Sequence, residues 1–285
     1  MKHHTMKLIL QGPNASESAA RRVAELAGAS AFNAIAAHVF RCDGVSDSPE
    51  LRESVIGACL ASGMDAAFVP TNMQLADFKL VVMDMDSTLI TIECIDEIAD
   101  MHGLKSEVAA VTEAAMRGDL EFRDSLQRRV ALLAGLDASA LDKVFEERLE
   151  LTLGAHEMLH AMKAAGLRTV LVSGGFTYFT ERLGKELELD ITRANLLEVV
   201  GGKLTGRVIG DIVDADAKKA MVESQSAALG VPTSAAIVIG DGANDLQMMS
   251  VAGLSVAFRA KPVVQAKANV ALNFSGLDGV LNLFR

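Results

Sequence analysis

A chain of 285 residues, half of them apolar, has enough material for one large hydrophobic core and a smaller one, so a disordered polypeptide is excluded. Its formal net charge of −10 argues against nucleic acid as a partner, because phosphate backbones are gripped by clustered Lys and Arg. Three cysteines, Cys42, Cys59 and Cys94, show no CxxC spacing and imply neither a disulfide framework nor a thiolate zinc site, which fits a reducing cytoplasm. The start, Met1-Lys2-His3-His4-Thr5, lacks the layout of a secretion signal. No apolar run approaches the roughly 20 residues that span a bilayer, so no membrane partner is expected. His3 and His4 are adjacent at a terminus and receive no role.

From Lys7 to Pro70 the pattern reads as strand (Leu8 to Leu10), helix (Ala19 to Leu26), strand (Ile35 to Phe40), helix (Leu51 to Ala61) and strand (Ala66 to Val69). This predicts a small N-terminal α+β domain over residues 1–70, of order β-α-β-α-β, with residues 71–78 as a linker. A second domain, residues 79–285, opens with the apolar run Leu80 to Met83. The segment from about Ile90 to Leu153 then reads as almost purely helical, an inserted cap punctuated by Gly118 and Gly135, which permit hinge motion. Strand-helix alternation resumes with helix Ala155 to Ala165 and strand Arg168 to Val172, followed by a hairpin between about Glu198 and Ile209. Helix Ala217 to Leu229, strand Ala235 to Ile239, helix Leu246 to Val251 and short strands near Leu254 and Val270 complete it. Such repetition predicts an α/β fold with a doubly wound parallel sheet, Rossmann-like, whose ligands bind beyond the carboxyl ends of the strands.

Carboxylates cluster at those ends. Asp84-Met85-Asp86-Ser87-Thr88 follows the first strand of the second domain, and extended backbone would turn both acids to the same side. Ile237-Val238-Ile239-Gly240-Asp241-Gly242-Ala243-Asn244-Asp245 repeats the design, so Asp84, Asp86 and either Asp241 or Asp245 should gather at one edge. Hard oxygen ligands without a Cys or His pair point to magnesium, and a magnesium held by few carboxylates keeps positions for a substrate phosphate. Val172-Ser173-Gly174-Gly175 ends a third strand with a hydroxyl and unhindered amides suited to phosphate oxygens. Lys218, at the start of a predicted helix, adds an ammonium, although spacing alone does not separate it from Lys219. A phosphorylated receiver domain uses similar groups, but lacks an acid two residues beyond its phosphorylated aspartate, the place Asp86 occupies here.

The blocks Asp84-x-Asp86-x-Thr88, Ser173-Gly174, Lys218 and Gly240-Asp241-Gly242-x-Asn244-Asp245, in that order, resemble the haloacid dehalogenase-like hydrolases. With Glu93, Met116, Phe122 and Ser125-Leu126-Gln127-Arg128-Arg129-Val130 in the cap, the resemblance narrows to the phosphoserine phosphatases of that superfamily, and it covers roughly Phe78 to the C-terminus. It implies that Asp84 is the nucleophile and Asp86 the general acid and base. It further implies that Asp84, the backbone carbonyl of Asp86 and Asp241 hold Mg2+, with Asp245 and Thr88 supporting them. Ser173, Gly174, Lys218 and Asn244 would bind the phosphate end of O-phosphoserine, a small-molecule substrate. Glu93 and Arg129 would take its ammonium and carboxylate, a planar guanidinium matching a carboxylate in two parallel bonds. Met116 and Phe122 would wall off water; without the family spacing, such side chains in helices read as ordinary packing. The N-terminal pattern resembles the ferredoxin-like ACT regulatory domains, which leaves room for serine as a feedback ligand and for a homo-oligomer.

Overall fold

The computed structural model describes residues 6–116 and 119–285, apart from the side chain of Met116. His3, His4 and Gly118 therefore lie outside the described residues. Among those described, no helix is long and apolar enough to cross a membrane.

The N-terminal unit runs β1 (Met6–Gln11), α1 (Glu17–Leu26), β2 (Ala31–Ala36), β3 (Val39–Val45), α2 (Pro49–Ala61) and β4 (Asp65–Pro70). Ser16 and Ser48 cap the two helices by accepting from Ala19 N–H and Leu51 N–H. The strands form an antiparallel sheet in the order β2-β3-β1-β4. This departs from the expected β-α-β-α-β order, in which a single strand covered Ile35 to Phe40. The observed chain turns back within that stretch and forms a hairpin. Its reversal carries no Gly or Pro: His38 adopts φ 57° and donates from Nδ1 to the carbonyl of Ala15, so the usual hairpin signal is missing. β2 is also largely solvent-exposed and Ala-rich, which removes the apolar alternation that would mark it.

The second sheet has seven strands. After a short turn at Leu75–Asp77 comes β5 (Leu80–Met83), whose four residues are all buried. Helices α3 (Cys94–Met101), α4 (Lys105–Met116), α5 (Phe122–Ala131) and α6 (Ser139–Glu147) follow as an insertion, and an antiparallel bridge between Ile90 and Leu151 joins the chain where it leaves and returns. The chain continues through α7 (Ala155–Ala164), β6 (Arg168–Phe176), α8 (Thr177–Glu186), β7 (Ile191–Val200), β8 (Lys203–Ile209), α9 (Ala215–Leu229), β9 (Ala236–Gly240), α10 (Leu246–Val251), β10 (Leu254–Phe258), α11 (Pro262–Gln265) and β11 (Val270–Leu272).

Strand order is β11-β10-β9-β5-β6-β7-β8, parallel except for the β7-β8 hairpin at one edge. Side chains alternate across β5: Leu80 and Val82 enter the core beneath Met221, Val222 and Met248, while Val81 and Met83 enter the opposite core with Met158 and Phe179. Burial on both faces explains why the strand reads as an unbroken apolar run. From β5 the chain winds first towards β6 and later back to β9 on the other side. The winding direction therefore reverses at β5, and doubly wound sheets bind ligands in the crevice beyond the carboxyl ends at such a point.

Candidate active site

Asp84 follows the last residue of β5 and Asp241 the last of β9, so these neighbouring parallel strands deliver two carboxylates to the same sheet edge. Oxygens of Asp84, Asp241 and Asp245 all lie within 4.8 Å of one another. Lys218 Nζ, fully buried in the first turns of α9, is 2.7 Å from Asp84 Oδ2 and 2.7 Å from Asp245 Oδ1. The Lys219 side chain instead pairs with Glu223 at 3.7 Å on the helix surface, so geometry separates two lysines that spacing could not.

The backbone keeps these groups in place. Asp84 Oδ1 accepts from Met85 N–H at 2.7 Å. The other loop is wrapped around Asp245, whose Oδ2 accepts from the N–H groups of Asp241 and Gly242 at 3.1 and 3.0 Å. Any side chain at Gly240 would meet that oxygen at 2.3 Å, so only glycine lets the loop close. Thr88 Oγ1 donates to Asp241 Oδ1 at 3.1 Å and ties the two loops together.

Asp86 is placed differently from the expectation that extended chain would align it with Asp84. β5 ends at Met83, and Met85–Leu89 forms one wide turn closed by Ile90 N–H to the Met85 carbonyl, with Ser87 at φ 55°. The Asp86 carboxylate stands apart from the three-acid group: Oδ1 accepts from Cys94 N–H at 3.3 Å and Oδ2 borders Gly175. A Cβ on Gly175 would lie 2.7 Å from that oxygen, so the second glycine of the Ser-Gly-Gly run makes room for the acid. Beside it, Ser173 Oγ accepts from Gly175 N–H at 2.8 Å.

Electrostatics distinguish the acids. Burial, then the charges of Asp245 and Asp241, push Asp84 well above the ordinary carboxylate range, with Lys218 opposing. Asp241 is pushed up to about 6 by burial and by Asp245. Burial would lower Lys218, but Asp245 and Asp84 outweigh it and keep the ammonium protonated. Three clustered carboxylates against one ammonium leave negative charge uncompensated, so this donor set fits a divalent cation. Asp86 is pushed up to about 7, by burial first and then by Glu93.

The cap lies over this edge. The Phe122 ring, at the start of α5, rests against Gly174, where an added Cβ would meet its Cζ at 3.0 Å. Glu93 remains open to solvent and accepts from Ser87 Oγ at 2.6 Å, although enough protein surrounds it to raise its carboxyl. Arg129 Nε donates to the Ser125 carbonyl at 3.4 Å, and its charge acts on Glu93. Asn244 is half-buried in the turn after β9, its side-chain oxygen lying against Gly242. Met116 ends α4, with its side chain outside the described residues.

Sequence reasoning overlooked Asn195. Fully buried on β7, it donates from Nδ2 to the Gly174 carbonyl at 2.7 Å and accepts Val213 N–H at 2.8 Å, clamping the Ser-Gly strand end to the segment that leads into α9. The one side-chain amide of β7 was the available signal. Asp214 was overlooked too: Oδ1 caps α9 at Ala217 N–H, and Oδ2 accepts from Arg123 Nε of the cap at 2.8 Å.

A family model described as haloacid dehalogenase-like hydrolase matches residues 81–250, and a second, for a domain of unknown function, matches residues 8–55. The chain belongs to the haloacid dehalogenase-like hydrolases. Among its relatives is the phosphoserine phosphatase of Polaromonas sp., 50% identical over 79% of this chain and 98% of that protein. The unliganded crystal structure of a probable phosphoserine phosphatase from Vibrio cholerae superposes with a TM-score of 0.81 at 34% identity, covering 99% of this chain and 87% of that one. A substrate-bound phosphoserine phosphatase complex superposes at 0.69 with 38% identity, over 73% of this chain and 99% of that one.

Proposed function

We propose that the chain hydrolyses O-phospho-L-serine to L-serine and phosphate, the last step of serine biosynthesis, by passing the phosphoryl group through Asp84. One observation carries this reading: a lysine-paired carboxylate, Asp84, stands at the winding reversal of the sheet beside two more acids, with a fourth acid, Asp86, housed separately against Cys94 and Gly175. In the first step Asp84 attacks phosphorus, an Asp84 O–P bond forms and the serine O–P bond breaks. Asp86, whose surroundings let it hold a proton near neutrality, protonates the departing serine oxygen. In the second step Asp86 takes a proton from water, which attacks phosphorus and releases Asp84 as carboxylate. Mg2+ held by Asp84, Asp241 and the Asp86 carbonyl supplies, when bound, the positive charge that lets a carboxylate approach a phosphate.

Lys218 has three N–H donors, and with two directed at Asp84 and Asp245 the third serves a phosphoryl oxygen. Ser173 receives the Gly175 N–H at its oxygen and keeps its own proton for the phosphate, alongside Gly174 N–H and the Asn244 amide. Glu93 takes the substrate ammonium, Arg129 its carboxylate, and Phe122 with Met116 excludes water. Residues 79–285 make up the catalytic unit in this reading, with the cap at about 90–153 and residues 1–70 as an accessory domain.

The test is phosphate release from O-phospho-L-serine with Mg2+ present and after chelation. Asp84→Asn, nearly isosteric and unable to form the acyl-phosphate, should lower kcat by about a thousandfold or more. Chelation should stop the wild type. Turnover by the asparagine variant at the wild-type rate would refute the assignment.

A further inference from the structure

Across β6 and β7, Val172 pairs with Arg193 and Phe176 with Asn195, so Ser173, Gly174 and Gly175 bulge out against Ala194 alone. At a bulge the ladder is locally broken and side chains are re-aimed. Here the Gly174 carbonyl is met at 2.7 Å by the side chain of Asn195, whose Nδ2 donates to it. On the other side Asn195 Oδ1 accepts the Val213 N–H at 2.8 Å. A carbonyl only accepts and an N–H only donates, so these two partners fix which way round the amide sits.

The carbonyl of Gly174 and the N–H of Gly175 belong to one planar peptide group. That N–H donates to Ser173 Oγ at 2.8 Å. Asn195, fully buried and held by Val213, therefore sets the plane from which the Ser173 oxygen receives its bond. A hydroxyl has a single proton, and an oxygen that already accepts on one side keeps that proton for a partner on another. Hydrogen bonds in series also polarise one another, so the bond to the Gly174 carbonyl strengthens the Gly175 N–H and, through it, the Ser173 O–H.

We propose that Asn195 is the positioning residue of Ser173: acting through the Gly174-Gly175 peptide, it aims the serine hydroxyl proton at a phosphoryl oxygen of the bound substrate. Asn195 serves the phosphate end alone and does not itself touch the substrate. The inference rests on Ser173 being a phosphate ligand.

The experiment compares two competitive inhibitors that occupy opposite ends of the site, inorganic phosphate and L-serine, alongside kcat and KM for O-phospho-L-serine. Wild type, Asn195→Ala, Ser173→Ala and the double variant are assayed with Mg2+ present. A thermal melt checks each fold, and Asn195→Val, which fills the space and suits a strand, takes the place of the alanine variant if that one does not fold. Asn195→Ala should raise Ki for phosphate about tenfold and lower kcat by a similar factor, while Ki for L-serine stays within about twofold. On the Ser173→Ala background, with no hydroxyl left to aim, the same substitution should cost about twofold or less. An undiminished cost on that background, equal weakening of both inhibitors, or no effect in the otherwise wild-type enzyme would overturn the proposal. If Ser173→Ala itself leaves phosphate binding and kcat unchanged, the reading of Ser173 as a phosphate ligand falls and the proposal with it; if Ser173→Ala impairs both and Asn195→Ala impairs neither, only the role of Asn195 falls.

Discussion

The hydroxyl of Thr88 reaches across to Asp241 Oδ1 and joins the loop after β5 directly to the loop after β9. Fixing a carboxylate from behind keeps its free oxygen aimed at a cation, and removing such a support commonly costs 10–100-fold in metal affinity. Thr88→Val, which keeps the shape and loses the donor, should therefore need about tenfold more Mg2+ for half-maximal activity, measured by Mg2+ titration at saturating substrate; an unchanged titration would contradict this. That the acids would meet was legible in the sequence, because an apolar run ending in Asp or Gly-Asp is a local pattern and a doubly wound sheet sends such ends to one edge. Asn195 was not, since its partner Gly174 lies 21 residues away and only the register of β6 with β7 brings them together.

Among the elements, the cap depends on its contacts with the core. Arg123 of α5 pairs with Asp214, the residue that caps α9 and so stands one turn from Lys218. The arginine is more than half exposed, so the pair should contribute no more than about 1 kcal/mol. Arg123→Ala should thus speed amide hydrogen exchange in α5 by about fivefold or less, with α9 affected weakly because Asp214 still caps it. Exchange in α5 equal to wild type would show that the pair holds nothing. The cap was legible as a helical interruption between strands, whereas the hairpin β2-β3 was not. A reversal at His38 without Gly or Pro, beside an exposed Ala-rich strand, gives no local sign of itself.

Across the molecule, the N-terminal unit is bonded to the catalytic unit at a buried seam. The carboxylate of Asp65, at the start of β4, accepts from the backbone N–H groups of Asn273, Phe274 and Ser275 after β11. Gln11 donates to the Gly279 carbonyl at 3.0 Å and accepts from the Asn282 amide at 2.6 Å. Asp65→Ala would strand three backbone donors, that of Ser275 buried and those of Asn273 and Phe274 partly so, and should lower unfolding stability by about 3 kcal/mol, since each unmet buried group costs roughly 1–3 kcal/mol and the set is not additive. Urea titration should still show one transition for both units; an early, separate transition of the N-terminal unit would contradict a bonded seam. No sequence pattern announced this seam, because its partners come from opposite ends of the chain.

The central claim, a phosphoryl group carried on Asp84, is tested most directly by acid-quenching the Mg2+-loaded enzyme during turnover of phosphate-labelled O-phospho-L-serine and mapping the label by peptide mass spectrometry. The account predicts up to one label per chain, on the peptide containing Asp84 and released by hydroxylamine, with none in Asp84→Asn. Rapid turnover with no label on the chain, or label on any other residue, would contradict it.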